Sequence, residues 1–181
     1  MQSNYPERYV REELLPNIDH IDYLTNVRIE DMHHSRKRRG EVDLIIFTSE
    51  GILVCEIKGG HEVNIIKGRS AAGKETEKWK YIIRNAKGET KSYTKNESPF
   101  EQVTQNLESF REWIINKDNS FKNVLFARAC IFPFLKFDGT KSGPLNEMEI
   151  SFDASISKDD FNNFVRKCFE LERSKEANRS K

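Results

Sequence analysis

Residues 41–58 constrain this chain more than any other stretch. They read EVDLIIF (41–47), a TSEG turn (48–51) and ILVCEIK (52–58). Both runs are β-rich and apolar at both sets of alternating positions, and four turn residues closed by Gly51 join them. Such a pair predicts an antiparallel hairpin in the middle of a covered sheet. Ionised side chains are rare in strands of this kind, because an unpaired buried charge is costly. Yet Asp43 stands in the first run, with Glu56 and Lys58 in the second. Alternation puts Glu56 and Lys58 on one face, and the short turn brings Asp43 to the same end. Two acids and one base leave an acid uncompensated, which favours a functional site over a structural ion triad.

The rest of the chain predicts a single α/β domain over residues 1–175, a central mixed sheet flanked by helices, with a polar tail at 176–181. Its 181 residues suit one domain able to bury a core. A third of them are charged (33%), but 12 Phe, 5 Tyr and 2 Trp argue against disorder. A helix is expected over 5–15, stopped by Pro16, then a strand at 25–30. Residues 61–66 suit a strand, 67–78 an excursion, and 79–85 with 90–94 a peripheral hairpin. Pro99 opens a helix to about 117 with Phe100, Val103, Leu107, Phe110, Trp113 and Ile114 on its core face. Strands follow at 123–134 and 149–152. Ser157 with Asp160 resembles a capping box for a last amphipathic helix.

No apolar run approaches the roughly 18 residues of a membrane span, and the N-terminal stretch lacks the apolar segment of a signal peptide. A cytoplasmic address away from membranes is therefore expected. Cys55, Cys130 and Cys168 lie far apart in apolar surroundings, as buried reduced thiols do.

Two converging carboxylates repel unless a cation lies between them, and oxygen ligands of this kind suit Mg²⁺ or Mn²⁺. An ammonium beside them can position or deprotonate a water and offset charge growing on a phosphate. That is equipment for metal-assisted phosphodiester hydrolysis.

The pattern Asp43, twelve residues, then Glu56-Ile57-Lys58 resembles the D…(D/E)xK signature of the restriction-endonuclease-like (PD-(D/E)xK) nuclease superfamily. The longer string GEVDLIIFTSEGILVCEIKGG is similar to its NERD (nuclease-related domain) branch. Glu7 with Val10 and Leu14, Trp79, and Pro99 with Gln102 extend the likeness over about residues 7–135. The resemblance implies a nuclease-like core and a Mg²⁺- or Mn²⁺-dependent nuclease acting on nucleic acid, DNA ahead of RNA. By the same likeness Asp43, Glu56 and the Ile57 carbonyl bind metal, Lys58 serves the attacking water, and Glu7 and Gln102 support them. Val42 stands where the wider superfamily has proline, and Asn106, four after Gln102, where some relatives carry an aromatic.

Other features are weighed beside these. The run Arg36-Lys37-Arg38-Arg39, after His33 and His34, leads into Asp43 and is a candidate phosphate-backbone contact, which Lys67, Arg69, Lys74, Lys78 and Lys80 would extend. A net charge of +1 permits this if the acids lie elsewhere. GRSAAGKE (68–75) nearly spells a phosphate-binding loop, but Glu75 replaces the required hydroxyl. A binding or targeting module with the same fold and little or no cleavage is the principal alternative.

Overall fold

The computed structural model describes residues 5–30, 39–69, 73, 75–85, 87–136 and 149–179. The hairpin forms its centre. Strand β1 (Asp22–Glu30) pairs antiparallel with β2 (Arg39–Thr48), which pairs antiparallel with β3 (Gly51–Ile57). On the far side of β3, strands β7 (Phe126–Phe132) and β8 (Ser151–Asp153) run parallel to it, giving the order β1-β2-β3-β7-β8. With ladder partners on both edges and helices over both faces, β3 is buried along its whole length.

The hairpin loop is tighter than the sequence suggests: Thr48 pairs with Gly51, leaving only Ser49 and Glu50 between the strands. The Thr48 hydroxyl accepts from the amides of Glu50 and Gly51 at 3.1 and 3.2 Å and so closes the turn locally. Gly51 has φ +152°, and a Cβ there would lie 2.2 Å from the Leu125 carbonyl oxygen. That same oxygen accepts from Ile52 N at 2.9 Å and ties the hairpin to the start of β7. Gly51→Ala is therefore expected to destabilise the fold by roughly 2 kcal/mol or more, read from a urea unfolding midpoint.

Helix α2 (Pro99–Lys117) lies on one face of the sheet. Ser98 caps it with Glu101 in a capping box, and Pro99 fills a first-turn position that needs no N–H donor. Its Phe100, Val103, Leu107, Phe110 and Ile114 pack with Ile45, Ile52, Val54, Phe126, Cys130 and Phe132. Trp113, expected in this core, is 38% exposed. It sits one position round from Ile114, so its ring leans on Phe110 at 6.0 Å and faces outward.

The other face is covered by the N-terminal helix and by α3 (Phe161–Arg179), whose Phe161, Phe164, Val165, Cys168 and Phe169 are buried. Ser157 caps a 3-10 turn (Lys158–Asp160) ahead of α3. The helix continues through Arg179, beyond the point where the polar sequence reads as a tail. Arg173 on its outer turns reaches Glu50 of the hairpin loop at 2.9 Å. The N-terminal helix is α1 (Tyr5–Tyr9), then a π-helical turn (Val10–Leu14), then a 3-10 turn (Leu15–Asn17). Pro16 lacks an amide proton, so ordinary helical bonding cannot continue through it.

The expected strand at 61–66 and the hairpin of 79–85 with 90–94 join in a separate antiparallel sheet, β4 (Glu62–Arg69), β5 (Glu75–Arg84) and β6 (Thr90–Lys95), and both ends of the expected excursion at 67–78 extend its strands. Trp79 and Tyr81 of β5 are buried, and Trp79 meets Phe100 of α2 edge-on at 6.0 Å. The alternation of β5 splits the expected basic strip. Lys67 is opposite Glu77, on the Trp79 side, whereas Lys78 and Lys80 project from the other face. Lys74 and residues 70–72 of the phosphate-loop look-alike lie outside the described residues. Among those described, no helix is long and apolar enough to cross a membrane, and all three cysteines are free and buried.

Candidate active site

The pairing of β2 with β3 decides the geometry. Leu44 faces Cys55 as the last pair of the ladder, so Asp43 and Glu56 stand just beyond its end, close enough for their carboxyls to interact. Glu56 lies on the α2 face, in phase with Ile52 and Val54, and the Asp43 carboxyl adjoins it. Asp43 Oδ2 accepts from Ile57 N at 2.8 Å. Lys58 Nζ donates to Glu56 Oε1 and, at 3.0 Å, to Gln102 Oε1 of α2. Asn106, one turn further along α2, donates through Nδ2 to Glu56 Oε2 at 3.2 Å and to the Glu41 carbonyl at 3.3 Å. The backbone N–H of Lys58 donates to Ile131 O at 2.9 Å, anchoring the end of β3 against β7.

Glu7 approaches from α1. A Cβ on Gly59 would lie 2.6 Å from Pro6 Cγ, so only glycine lets the helix sit this close to the end of β3. Glu7 Oε2 is buried there with no hydrogen-bond partner among the described residues. From the second sheet, Tyr93 donates its hydroxyl to Gly59 O at 3.0 Å, and its ring stacks on Tyr81 at 5.0 Å.

Burial dominates the electrostatics. Glu56 is 1% exposed, and its carboxyl is pushed up to about 8, by desolvation first and by the Asp43 charge second, against the pull of Lys58. Asp43 is also raised by burial, with the Ile57 amide and Lys58 opposing. Burial raises Glu7 too, and the Asp43 charge adds to it. Among the described residues these three acids thus share one ammonium, Lys58. The charge does not balance, and each carboxyl holds its proton more firmly than it would in water.

The structure brings together Asp43, Glu56, Lys58, Gln102 and Glu7, all singled out from the sequence, with Ile57 at the same end of β3. Arg36, Lys37 and Arg38 lie outside the described residues, as do His33 and His34, and Arg39 opens β2. Sequence reasoning missed Asn106, noting it only as a departure. Its signal was a polar amide at a buried helical position among Val103, Leu107 and Phe110. Glu41, whose side chain is exposed, contributes its carbonyl, and its charge adds a smaller push to the rise at Asp43.

A mixed sheet with helices on both faces, and acids with an amine gathered at one end of its inner strands, defines an α/β protein consistent with a nuclease-like domain. A family model described as nuclease-related domain (NERD) matches residues 3–133. The chain belongs to that family. No curated protein and no solved structure matches it.

Proposed function

We propose that this chain is a metal-dependent nuclease hydrolysing phosphodiester bonds of nucleic acid, DNA ahead of RNA. One observation carries the reading: Asp43, Glu56 and Lys58 meet at the end of the central strands, with more buried acid than Lys58 can balance. The unpartnered oxygen of Glu7 adds to that excess.

The donors are all oxygen, which fits a hard divalent cation such as Mg²⁺ or Mn²⁺. Asp43, Glu56 and the Ile57 carbonyl would hold it. Among the described residues no group of three or more His, Cys, Asp or Glu could hold an ion unaided. Two carboxylates, a carbonyl and waters suit Mg²⁺, which keeps much of its hydration shell. When bound, the ion supplies Lewis-acid polarisation of the phosphate and a more acidic water.

The protein's own groups do the remaining work. Lys58 orients the attacking water and faces the negative charge that grows on the phosphate oxygens. Gln102 fixes the Lys58 ammonium, and Asn106 fixes the Glu56 carboxylate. Glu7 keeps the site electronegative and so favours cation uptake.

A second reading, a nucleic-acid-binding module that does not cleave, is favoured by the occupation of both Glu56 oxygens by Lys58 and Asn106. One experiment separates the two. Labelled single- and double-stranded DNA and RNA are incubated with the protein in Mg²⁺, Mn²⁺ or EDTA, with Lys58→Ala alongside. The nuclease reading expects product with metal, none in EDTA, and none from a folded Lys58→Ala variant. Salt-dependent binding without metal-dependent product selects the second reading. Undiminished cleavage by Lys58→Ala removes Lys58 from the mechanism.

A further inference from the structure

Four rings crowd one patch of surface beside this site. Tyr5 stacks on Phe134 with centroids 5.0 Å apart and planes at 18°, and His61 stacks on Phe134 at 6.1 Å and 23°. Tyr9 meets the same Phe134 edge-on at 5.2 Å. Core packing accounts for Tyr9, which is half-buried against the α3-side core. It does not account for Tyr5, which is 57% exposed, nor for His61, which is also exposed. Scattered apolar side chains on a surface are ordinary, but a cluster of near-parallel aromatic rings at one spot is not.

Position gives the cluster its meaning. Tyr5 lies two residues before Glu7, and the intervening Pro6 packs on Gly59, next to Lys58. His61 follows Lys58 by three residues, which limits their separation to about 11 Å along the backbone. Phe134 lies just beyond β7, whose Ile131 carbonyl holds the Lys58 amide. The rings therefore adjoin the acids and the amine, within a nucleotide or two of a phosphate placed there. His61 is also held in place: its Nδ1 accepts from Arg84 N at 3.1 Å, and its backbone N–H donates to Ile82 O at 2.8 Å.

We infer that Tyr5, Phe134 and His61 form a platform on which an unpaired base of the substrate stacks, making single-stranded nucleic acid the preferred substrate class. The inference rests on the nuclease-site reading above. Every base has a π-face, so stacking on aromatic rings tolerates any sequence, and a duplex keeps those faces covered by its own neighbours. The platform thus selects strandedness rather than sequence.

The test is fluorescence anisotropy in EDTA, where no cleavage intervenes. The probes are a labelled oligothymidylate, its duplex with oligoadenylate, and a strand of equal length carrying abasic sites. The wild-type protein is expected to bind the intact strand at least about tenfold more tightly than either the duplex or the abasic strand. Tyr5→Ala and His61→Ala each reduce single-strand affinity by about tenfold and leave duplex affinity unchanged, whereas Tyr5→Phe keeps the wild-type affinity. Equal binding of intact and abasic strands overturns the platform, and so does a single-strand preference untouched by Tyr5→Ala. Cleavage in Mg²⁺ is scored separately. Base-dependent binding without cleavage leaves the platform standing and removes the nuclease reading. Cleavage without strand preference does the reverse.

Discussion

Asp43→Asn is expected to lose on the order of a thousandfold in metal-dependent cleavage and, in the same molecule, to gain stability at pH 8. Asparagine keeps an oxygen to accept from Ile57 N, the contact that Asp43 makes at 2.8 Å. It removes one of the acids that Lys58 offsets, and its new amide can donate towards Glu56. Relief of like-charge repulsion in a buried site is worth about 1–2 kcal/mol, or roughly 2–8 °C in Tm for a chain of this size. A thermal melt and a cleavage assay on one preparation check both halves. Lost activity with lowered stability would mean that Asp43 is a structural partner of the hairpin, and retained activity would remove it from the site.

The second large effect is a fall in stability with rising pH in chelating buffer. Glu56 titrates near 4.5 when exposed and near 8 in the folded chain. The folded state therefore binds more protons than the unfolded state between those values, and linkage makes stability decline as pH rises through that window. Asp43 and Glu7, both raised by burial, act in the same direction. The expected loss is roughly a few kcal/mol between about pH 4.5 and pH 8, and smaller in Asp43→Asn, where the second-largest cause of the Glu56 shift is gone. Mg²⁺ or Mn²⁺ that binds the ionised acids should restore stability at the alkaline end. Urea midpoints across this range, with and without metal, measure it. A flat profile would show that the three acids are solvated rather than buried together.

These acids are an instance of function set against stability. A buried apolar hairpin is most stable without ions, so Asp43, Glu56 and Lys58 stand out as soon as the surrounding residues are read. The same contrast marks Asn106, but less plainly, because an amide on a helix is common and only its core-facing phase is unusual. Trp113 shows the opposite error. It has the right residue type and nearly the right phase, yet one position of helical rotation turned it outward.

What the chain's local pattern determined was short in range. Alternation within 41–58 set which side chains share a face, and the glycine-closed turn set which ends meet. Pro99 behind Ser98 marked where α2 begins. Each of these depends on neighbours a few residues apart, where backbone geometry leaves little choice. Only the tertiary structure decided that β3 lies between an antiparallel and a parallel neighbour, that residues 62–95 close into a second sheet, and that α2 turns Gln102 and Asn106 onto Lys58 and Glu56. It also brought Glu7 across Gly59 to the far end of the hairpin. The contacts that complete the site join segments separated by 44 residues or more, as between Lys58 and Gln102. Their geometry follows from how whole faces pack, and no local period in the chain encodes it.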